Sequence, residues 1–359
     1  MIKLPDLKTA QVEGKKVFLR TDIDVPLSQQ TTNNKQQTTI ADDTRLGEGL
    51  ETLNFLLKNG AIVILAGHLG RPQGEEEDLS AEPIAEWYSR ELRVKSENLK
   101  VIKINGLKGW EISENLTVLE NLRFHKEEEE NDQEFSKKLA SLAQIYVNDS
   151  FASSHRVHAS VVGIAKLLPH FAGFMLVKEI ETLSSLLENP KRPLAVIIGG
   201  AKIETKLPLV EKMHQFADYV LVGGLIAEET KVLLKVQHEK VEERKSALFV
   251  ADLNGEETDI TSKDAENFLQ IINLAKTIVW NGPVGKTEGN EENLEIGSAK
   301  IAKGIVESGA YTVVGGGDTI SYLKKIGLLD KFSFVSTGGG AMLEFLSKEK
   351  LPGIEILCK

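Results

Sequence analysis

The chain has 359 residues, 41% hydrophobic and 27% charged, a length that calls for two domains and a composition of ordinary folded protein. A net charge of -10 argues against a general nucleic-acid or anionic-membrane binder, and no apolar run approaches the roughly 18 residues of a membrane span. The single cysteine, Cys358, can form no internal disulfide, and no charged-then-apolar signal pattern opens the chain, so a cytoplasmic protein is expected.

In chain order, Val17–Arg20 is a strand, and the Gln/Thr/Asn-rich stretch Leu27–Thr39 reads as a loop with little core-forming power. Leu50–Leu57 has helical spacing and ends at Asn59-Gly60; Ala61–Ala66 is an apolar run, as in a strand buried on both faces. Pro83–Leu92 reads as a helix, Leu116–Leu119 as a strand, Glu127–Ala143 as an acidic helix and Gln144–Val147 as a strand. The Glu-rich runs Glu75–Asp78 and Glu127–Glu130 read as solvated faces. Gly173–Glu188 is helical and leads to Asn189-Pro190-Lys191-Arg192-Pro193, a stiff junction. Beyond it the strands are Leu194–Ile198, Tyr219–Val222, Thr277–Trp280, Tyr311–Val314 and Phe332–Val335, while Thr230–Thr258 is charged and weakly patterned. Alternating strands and helices imply α/β architecture: two Rossmann-like parallel-sheet domains with right-handed crossovers, joined by a hinge helix. The expected division is 1–172, an interdomain helix and hinge at 173–193, a second domain at 194–345, and a C-terminal segment at 346–359.

Open parallel sheets bind ligands beyond the carboxyl ends of their strands, so the residues that follow each strand carry the functional signal. In the first half these are cationic: Arg20; His68 and Arg71; Arg123 and His125; His155, Arg156 and His158, with Arg45 after the polar loop. Seven of the nine arginines precede residue 157, and arginine's planar fork suits phosphate and carboxylate oxygens, so this half recognises a small anion. His170, His214 and His238 read as structural or surface residues. In the second half the strands end in glycine: Gly199-Gly200-Ala201-Lys202, Gly223-Gly224, Asn281-Gly282-Pro283-Val284-Gly285, Gly315-Gly316-Gly317-Asp318 and Gly338-Gly339-Gly340. Such turns let backbone approach a phosphate closely, and the last precedes a helix-forming stretch whose first N–H groups attract anions. Lys202 and Lys206 share a helical face and can supply charge to phosphates, and Asp318 suits a Mg²⁺ carboxylate. No Walker-type loop, dinucleotide fingerprint or zinc spacing is present. One half that grips a small anion and one that grips a phosphate tail suggest phosphoryl transfer.

The ordered motifs resemble the phosphoglycerate kinase family along nearly the whole chain. They are Arg20-Thr21-Asp22-Ile23-Asp24-Val25-Pro26-Leu27, Asp42-Asp43-Thr44-Arg45, His68-Leu69-Gly70-Arg71-Pro72, Leu119-Glu120-Asn121-Leu122-Arg123-Phe124, Tyr146–Phe151 with His155–Ser160, the glycine turns above, and Leu351-Pro352-Gly353. The resemblance implies that the first domain binds 3-phosphoglycerate or 1,3-bisphosphoglycerate through Asp22, Asp24, Arg45, His68, Arg71, Arg123 and Arg156. It implies that MgADP or MgATP is bound by Gly200, Ala201, Lys202, Lys206, Gly224, Asn281, Pro283, Glu288, Gly315, Gly316, Gly317, Asp318 and Thr319, with Glu288 at the ribose and Asp318 at Mg²⁺. Arg45, Lys202, Gly338, Gly339 and Gly340 would stabilise the phosphoryl group in flight. A monomer is expected, without nucleic acid or membrane as partner, whose C-terminal segment crosses back to the first domain.

The chain departs from the family pattern at several points. Asp24 stands where Asn is usual, Thr205 where Asp is usual, and Leu225 in place of a third glycine. Asp259-Ile260-Thr261-Ser262 replaces Asp-Ile-Gly-Pro, and the stretch from 225 to 258 is short. Asp24 places one more negative charge beside the anionic substrate, while Leu225, Thr261 and the short stretch bear on base recognition rather than on phosphate handling. The alternatives to an active kinase are a relative that binds anions or nucleotide without turnover, against which Arg45, Lys202 and Asp318 stand together, and a nicotinamide dehydrogenase, whose fingerprint is missing.

Overall fold

The computed structural model describes residues 2–32, 35–94, 99–201, 203–237, 246–256, 258–287, 296–348 and 350–359. The chain forms two compact units, Ile2–Glu181 with Lys350–Lys359, and Thr182–Glu349. The division falls inside the helix Phe174–Glu188.

The first unit is built on strands β1 (Lys16–Thr21), β4 (Ile62–Ala66), β5 (Lys100–Ile104), β6 (Leu107–Ser113), β7 (Leu116–Leu119), β8 (Ile145–Asp149) and β9 (His170–Ala172), with a separate hairpin of β2 (Leu27–Thr32) and β3 (Lys35–Ile40). The sheet order is β5-β6-β7-β4-β1-β8-β9. The pairs β1–β4, β1–β8, β4–β7 and β8–β9 are parallel, which makes β1 central and buries it on both faces. On β1, Val17 and Leu19 join the main core, whereas Phe18 and Arg20 point to the opposite face.

Two strand pairs correct the sequence reading. The stretch read as a loop at Leu27–Thr39 is the antiparallel hairpin β2–β3, in register from Leu27 opposite Ile40 to Thr32 opposite Lys35. Its threonines favour extended backbone, and Leu27 and Ile40 pack on the core, so a polar composition concealed two strands. The sheet is also not wholly parallel, because β5–β6 and β6–β7 are antiparallel. Ile104 pairs with Leu107 across Asn105-Gly106, both at positive φ (48° and 76°), the two-residue turn that Asn-Gly favours. The acidic helix expected over Glu127–Ala143 is two helices, Lys126–Glu129 and Gln133–Ala140, divided at Asn131, whose φ is 52°. Its Glu128, read as solvated, is fully buried.

The second unit carries β10 (Leu194–Ile198), β11 (Tyr219–Val222), β12 (Ala247–Val250), β13 (Thr277–Asn281), β14 (Tyr311–Gly315) and β15 (Phe334–Val335) in the order β12-β11-β10-β13-β14-β15. All five adjacent pairs are parallel, so the carboxyl ends of these strands share one edge. β10 and β13 are buried throughout, as their apolar runs require, and the core is centred on Trp280, Phe268 and Ile197. β12 was not anticipated from the weakly patterned stretch around it.

In the first unit, Lys350–Lys359 adds the short helix Pro352–Glu355, and Gly353 N–H donates to Ser154 O (2.8 Å). The start of Phe174–Glu188 is held by side chains from elsewhere in that unit. Phe174 N–H donates to Thr52 Oγ1 (2.9 Å), and Met175 and Leu176 N–H donate to Asp149 Oδ1 (3.0 and 3.2 Å). Asp149 thus occupies the anion-favouring end of the helix. Burial nevertheless raises its carboxyl to about 7, against the lowering effect of the hydrogen bonds from Thr52, Leu176 and Met175. Between the ordinary carboxyl range and about 7 the folded protein binds the extra proton, so wild-type stability falls as pH rises through that window. Asp149→Asn keeps an acceptor for the helix and abolishes this titration. Urea denaturation at pH 5 and pH 8 is expected to show the variant gaining on wild type at the higher pH; a difference independent of pH contradicts the assignment.

Candidate functional site

The carboxyl end of β1 delivers Arg20, Thr21 and Asp22 into the interior, all buried. The Arg20 guanidinium donates through Nε to Ser160 Oγ (3.0 Å) and through its terminal nitrogens to His68 Nδ1 (2.7 Å) and Thr21 O. His68 follows β4, and its Nε2 lies 3.9 Å from Asp24 Oδ2. Asp24 Oδ1 accepts from Gly70 N–H (2.9 Å), and Arg45 NH1 donates to Asp24 O (2.6 Å). Arg45 Nε stands 3.8 Å from Asp22 Oδ2, and its NH1 stands 4.0 Å from Asp24 Oδ2. Arg123, in the turn after β7, donates to Gly70 O (2.6 Å) and pairs with Glu129 (3.0 Å).

The ends of β1, β4 and β7 are therefore knitted together, as parallel pairing of these strands dictates. Asn121, fully buried, is the clasp. It accepts from Leu69 and Arg123 N–H and donates to the Leu69 and Leu79 carbonyls (2.8 and 3.0 Å). Of the residues expected at an anion site, Asp22, Asp24, Arg45, His68 and Arg123 form this connected group. Arg71 and Arg156 are exposed beside it, and the Arg156 charge is felt at Arg123 and His158.

The charges shape the titration. Burial, then the Arg20, Arg123, His158 and Arg45 charges, hold His68 well below the usual imidazole range. Burial and the neighbouring arginines likewise hold His158 down at about 3. Asp22 is raised by burial, with Arg45 opposing. Asp24 is met by the Gly70 N–H and the Arg45 guanidinium, with the neutral His68 ring beside it. Sequence reasoning missed the buried support. Glu128 accepts from Ser160 N–H (2.9 Å) and Ser160 Oγ, and the Tyr146 hydroxyl donates to Ser160 O (2.9 Å). Nothing in the composition separates Glu128 from its three glutamate neighbours.

On the second unit the glycine turns meet along the shared edge. Gly199 N–H donates to Asn281 O (3.0 Å), Gly224 N–H to Val284 O (2.7 Å) and Gly282 N–H to Thr319 Oγ1 (3.0 Å). Gly224, Gly282 and Gly316 have φ of 67°, 92° and 97°, and a Cβ on Gly339 would come within 2.8 Å of Gly316 Cα. Gly200, Ala201, Gly224, Pro283, Gly285 and Asp318 line a cleft of about 270 Å³, to which Leu225 and Leu253 add apolar surface and Lys286 and Thr287 polar groups. Asp318 is an exposed carboxylate in the first turn of the helix Gly317–Lys325. Gly315 is buried, Gly338 precedes the helix Gly339–Lys348, and Gly339 and Gly340 open it.

Lys206 is buried and its ammonium donates to Gly199 O, inside the turn itself. Asn281 and Thr319 are buried and brace the turns. Lys202 and Glu288 lie outside the described residues. Thr261 accepts from Asp264 N–H (3.2 Å) as the cap of the helix Ser262–Leu274, so it is a helix start rather than part of the cleft wall. Among the described residues no group of three or more His, Cys, Asp or Glu could hold a metal ion. A cation here would come with phosphate oxygens, which is how Mg²⁺ usually enters such sites.

An arginine-edged unit and a glycine-edged unit on one chain define an α/β protein of two parallel-sheet units. The family model described as phosphoglycerate kinase matches residues 7–253 and 234–349. The phosphoglycerate kinase of Dictyoglomus turgidum is 37% identical over 401 aligned positions, covering 98% of each chain. The cytosolic phosphoglycerate kinase 3 of Arabidopsis thaliana is 36% identical, covering 97% of this chain and 96% of the relative. The solved structure of phosphoglycerate kinase from Coxiella burnetii superposes with a TM-score of 0.76 at 31% identity, covering 99% of each chain. The chain belongs to the phosphoglycerate kinase family and is, by that membership, a phosphotransferase of glycolysis. Alignment to the Dictyoglomus relative needs more positions than the 359 residues present, so that relative carries segments this chain lacks.

Proposed function

We propose that the Asp22, Asp24, Arg45, His68, Arg71, Arg123 and Arg156 group binds 3-phosphoglycerate or 1,3-bisphosphoglycerate. In the same reading the glycine-edged cleft binds ADP or ATP. The observation that carries it is the convergence of Arg45, His68 and Arg123 on the carboxyl edge of one sheet, with no carboxylate among them left without a neighbouring donor or cation. The 270 Å³ cleft with an apolar wall and a backbone-lined floor supports the nucleotide half.

The chemistry asks little of proton transfer. The acceptor is a carboxylate, ionised at neutral pH, so no general base is required, and catalysis rests on positioning and on charge placed around the moving phosphoryl group. Arg45 supplies that charge from the first unit. Lys202 and the N–H groups around Gly338, Gly339 and Gly340 supply it from the second. Gly200, Ala201, Lys206, Gly224, Asn281, Pro283, Gly315, Gly316, Gly317 and Thr319 shape the phosphate-facing turns, and Glu288 meets the ribose. Asp318 fits one carboxylate of a Mg²⁺ ion that otherwise binds phosphates and water, and that ion would offset phosphate charge. In-line transfer requires the two ligands to meet, so we place closure in the 173–193 segment, between a first domain 1–172 and a second domain 194–345. The protein works in the cytoplasm, as the name of the cytosolic plant relative supports, and acts as a monomer.

The test is steady-state assay with 3-phosphoglycerate and MgATP, with the acyl phosphate trapped. Turnover is expected, and none with ATP, GTP or pyrophosphate would leave only a non-catalytic binder. Arg45→Ala is expected to lower kcat by about 10²–10³-fold; a variant within about twofold of wild type contradicts the role of Arg45. Asp24→Asn retains the acceptor for Gly70 and removes a charge beside the anion, worth about 1 kcal/mol for charges about 4 Å apart in water. Its KM for 3-phosphoglycerate should fall about fivefold; an unchanged or higher value shows that Asp24 is already neutralised by its surroundings.

A further inference from the structure

We propose that Glu128 is a positioning residue that, through Ser160 and Arg20, locks His68 as a neutral imidazole carrying its proton on Nε2. The inference rests on the reading of the Arg45–His68 group as the phosphoglycerate site, and it concerns how that site presents its one histidine.

The Arg20 end of the chain fixes its own bond directions, and at the Glu128 end burial raises the carboxyl while the Arg20 charge and the Ser160 hydrogen bonds oppose that. A guanidinium only donates, so Arg20 Nε–H makes Ser160 Oγ an acceptor, at 3.0 Å, and leaves the serine hydroxyl its own proton to give. That proton goes to Glu128 Oε1, while Ser160 N–H donates to Oε2 at 2.9 Å, so both carboxylate oxygens accept. At the other end a second Arg20 N–H meets His68 Nδ1 at 2.7 Å, where only a lone pair can stand. A proton on Nδ1 would set two donors face to face. His68 therefore keeps its proton on Nε2, the nitrogen 3.9 Å from Asp24. The site offers an anionic ligand a fixed N–H donor instead of a titrating charge.

Burial makes the chain consequential. Arg20, Glu128 and Ser160 are each fully buried, so the Arg20 charge has no water to answer it. The groups around His68 act in the same sense. Arg20 on β1, Arg45 on the helix Thr44–Glu48, Arg123 after β7 and His158 before the helical turn Ala159–Gly163 all disfavour an imidazolium, and burial does so most. Asp24, part-exposed, is the carboxylate that pulls the other way. The backbone around Ser160 is itself held: Val161, Val162 and Gly163 N–H share the His158 carbonyl, a wide turn that aims Ser160 at Arg20 and Glu128.

The direct readout is the ring nitrogens of His68 in the uniformly ¹⁵N-labelled full chain, assigned by the signal lost in His68→Gln. The expected result is an unprotonated Nδ1, a protonated Nε2 and no titration between about pH 5.5 and 8, where a free imidazole would titrate. A proton on Nδ1, or titration near the ordinary value, overturns the proposal without any variant. Ser160→Ala and Glu128→Gln cut the chain at two points away from the ligand. In each, Arg20 loses its anchor, so the hydrogen-bonded Nδ1 signal of His68 should move, and KM for 3-phosphoglycerate should rise about tenfold at pH 8. Burial and the surrounding arginines remain, so His68 should still not titrate and the variant-to-wild-type ratio of KM, in which the substrate's own ionisation cancels, should be flat with pH. KM for nucleotide should stay within about twofold. An unchanged His68 spectrum with KM for 3-phosphoglycerate within about twofold of wild type in both variants would reduce Glu128 to a structural residue. If wild-type protein shows no binding of 3-phosphoglycerate at all, the site reading fails, while the ring-nitrogen signals still decide the tautomer.

Discussion

The first unit depends on one buried charge. Arg20 sits at the end of the central strand with no exposed surface, and a guanidinium cannot shed its proton to escape the cost of burial. Its five N–H groups must be met, and the fold meets them from three directions, with Ser160, His68 and its own strand's carbonyl. Two of these partners lie in loops at the strand ends: His68 leads to Gly70 and Arg71, and Ser160 follows Arg156 and His158. Satisfying Arg20 therefore fixes the loops of the arginine-bearing edge. Removing a partner would leave a buried N–H of a charged group unsatisfied, a larger penalty than the loss of one surface contact.

The second unit solves a different problem, bringing several turns of backbone together at one sheet edge. Parallel pairing of β10, β11, β13, β14 and β15 delivers their carboxyl ends to the same side, and only residues without a Cβ allow the turns to touch. A Cβ on Gly282 would clash with Gly199 O, and one on Gly199 with Pro283 O. Lys206 and Thr319 act from inside, tying Gly199 and Gly282 in place, so two residues that resemble ligand contacts also hold the turns. The departures from the family pattern divide accordingly. Leu225 reaches the cleft wall, half exposed, whereas Thr261 is spent on capping a helix. The family match is in two stretches that overlap at residues 234–253, inside the 225–258 segment that reads as short in the sequence.

Most of the strand order was legible because buried parallel strands write themselves as apolar runs: Ile62–Ala66, Leu194–Ile198 and Thr277–Asn281 are examples. Polar strands were not. β2 and β3 carry threonine and glutamine where the pattern expects alternation, and β5 is an edge strand with Val101 exposed. The Asn105-Gly106 turn was a usable signal that the emphasis on parallel architecture obscured. Within the site, the charged residues could be found because they follow strands. Glu128 could not, since burial of one glutamate among four is decided by the break at Asn131 and by a contact 32 residues away in sequence.

The central claim is a division of labour, with the small anion held on the arginine-edged unit and the nucleotide on the glycine-edged one. Hydrogen–deuterium exchange of the full chain with each ligand alone tests it most directly. With 3-phosphoglycerate, slowed exchange is expected in the backbone of residues 22–27, 67–71, 121–125 and 155–160, and with ADP at 199–201, 223–226, 282–287 and 315–319. Protection by 3-phosphoglycerate confined to the glycine turns, or by ADP confined to the loops around Arg20, would contradict the account.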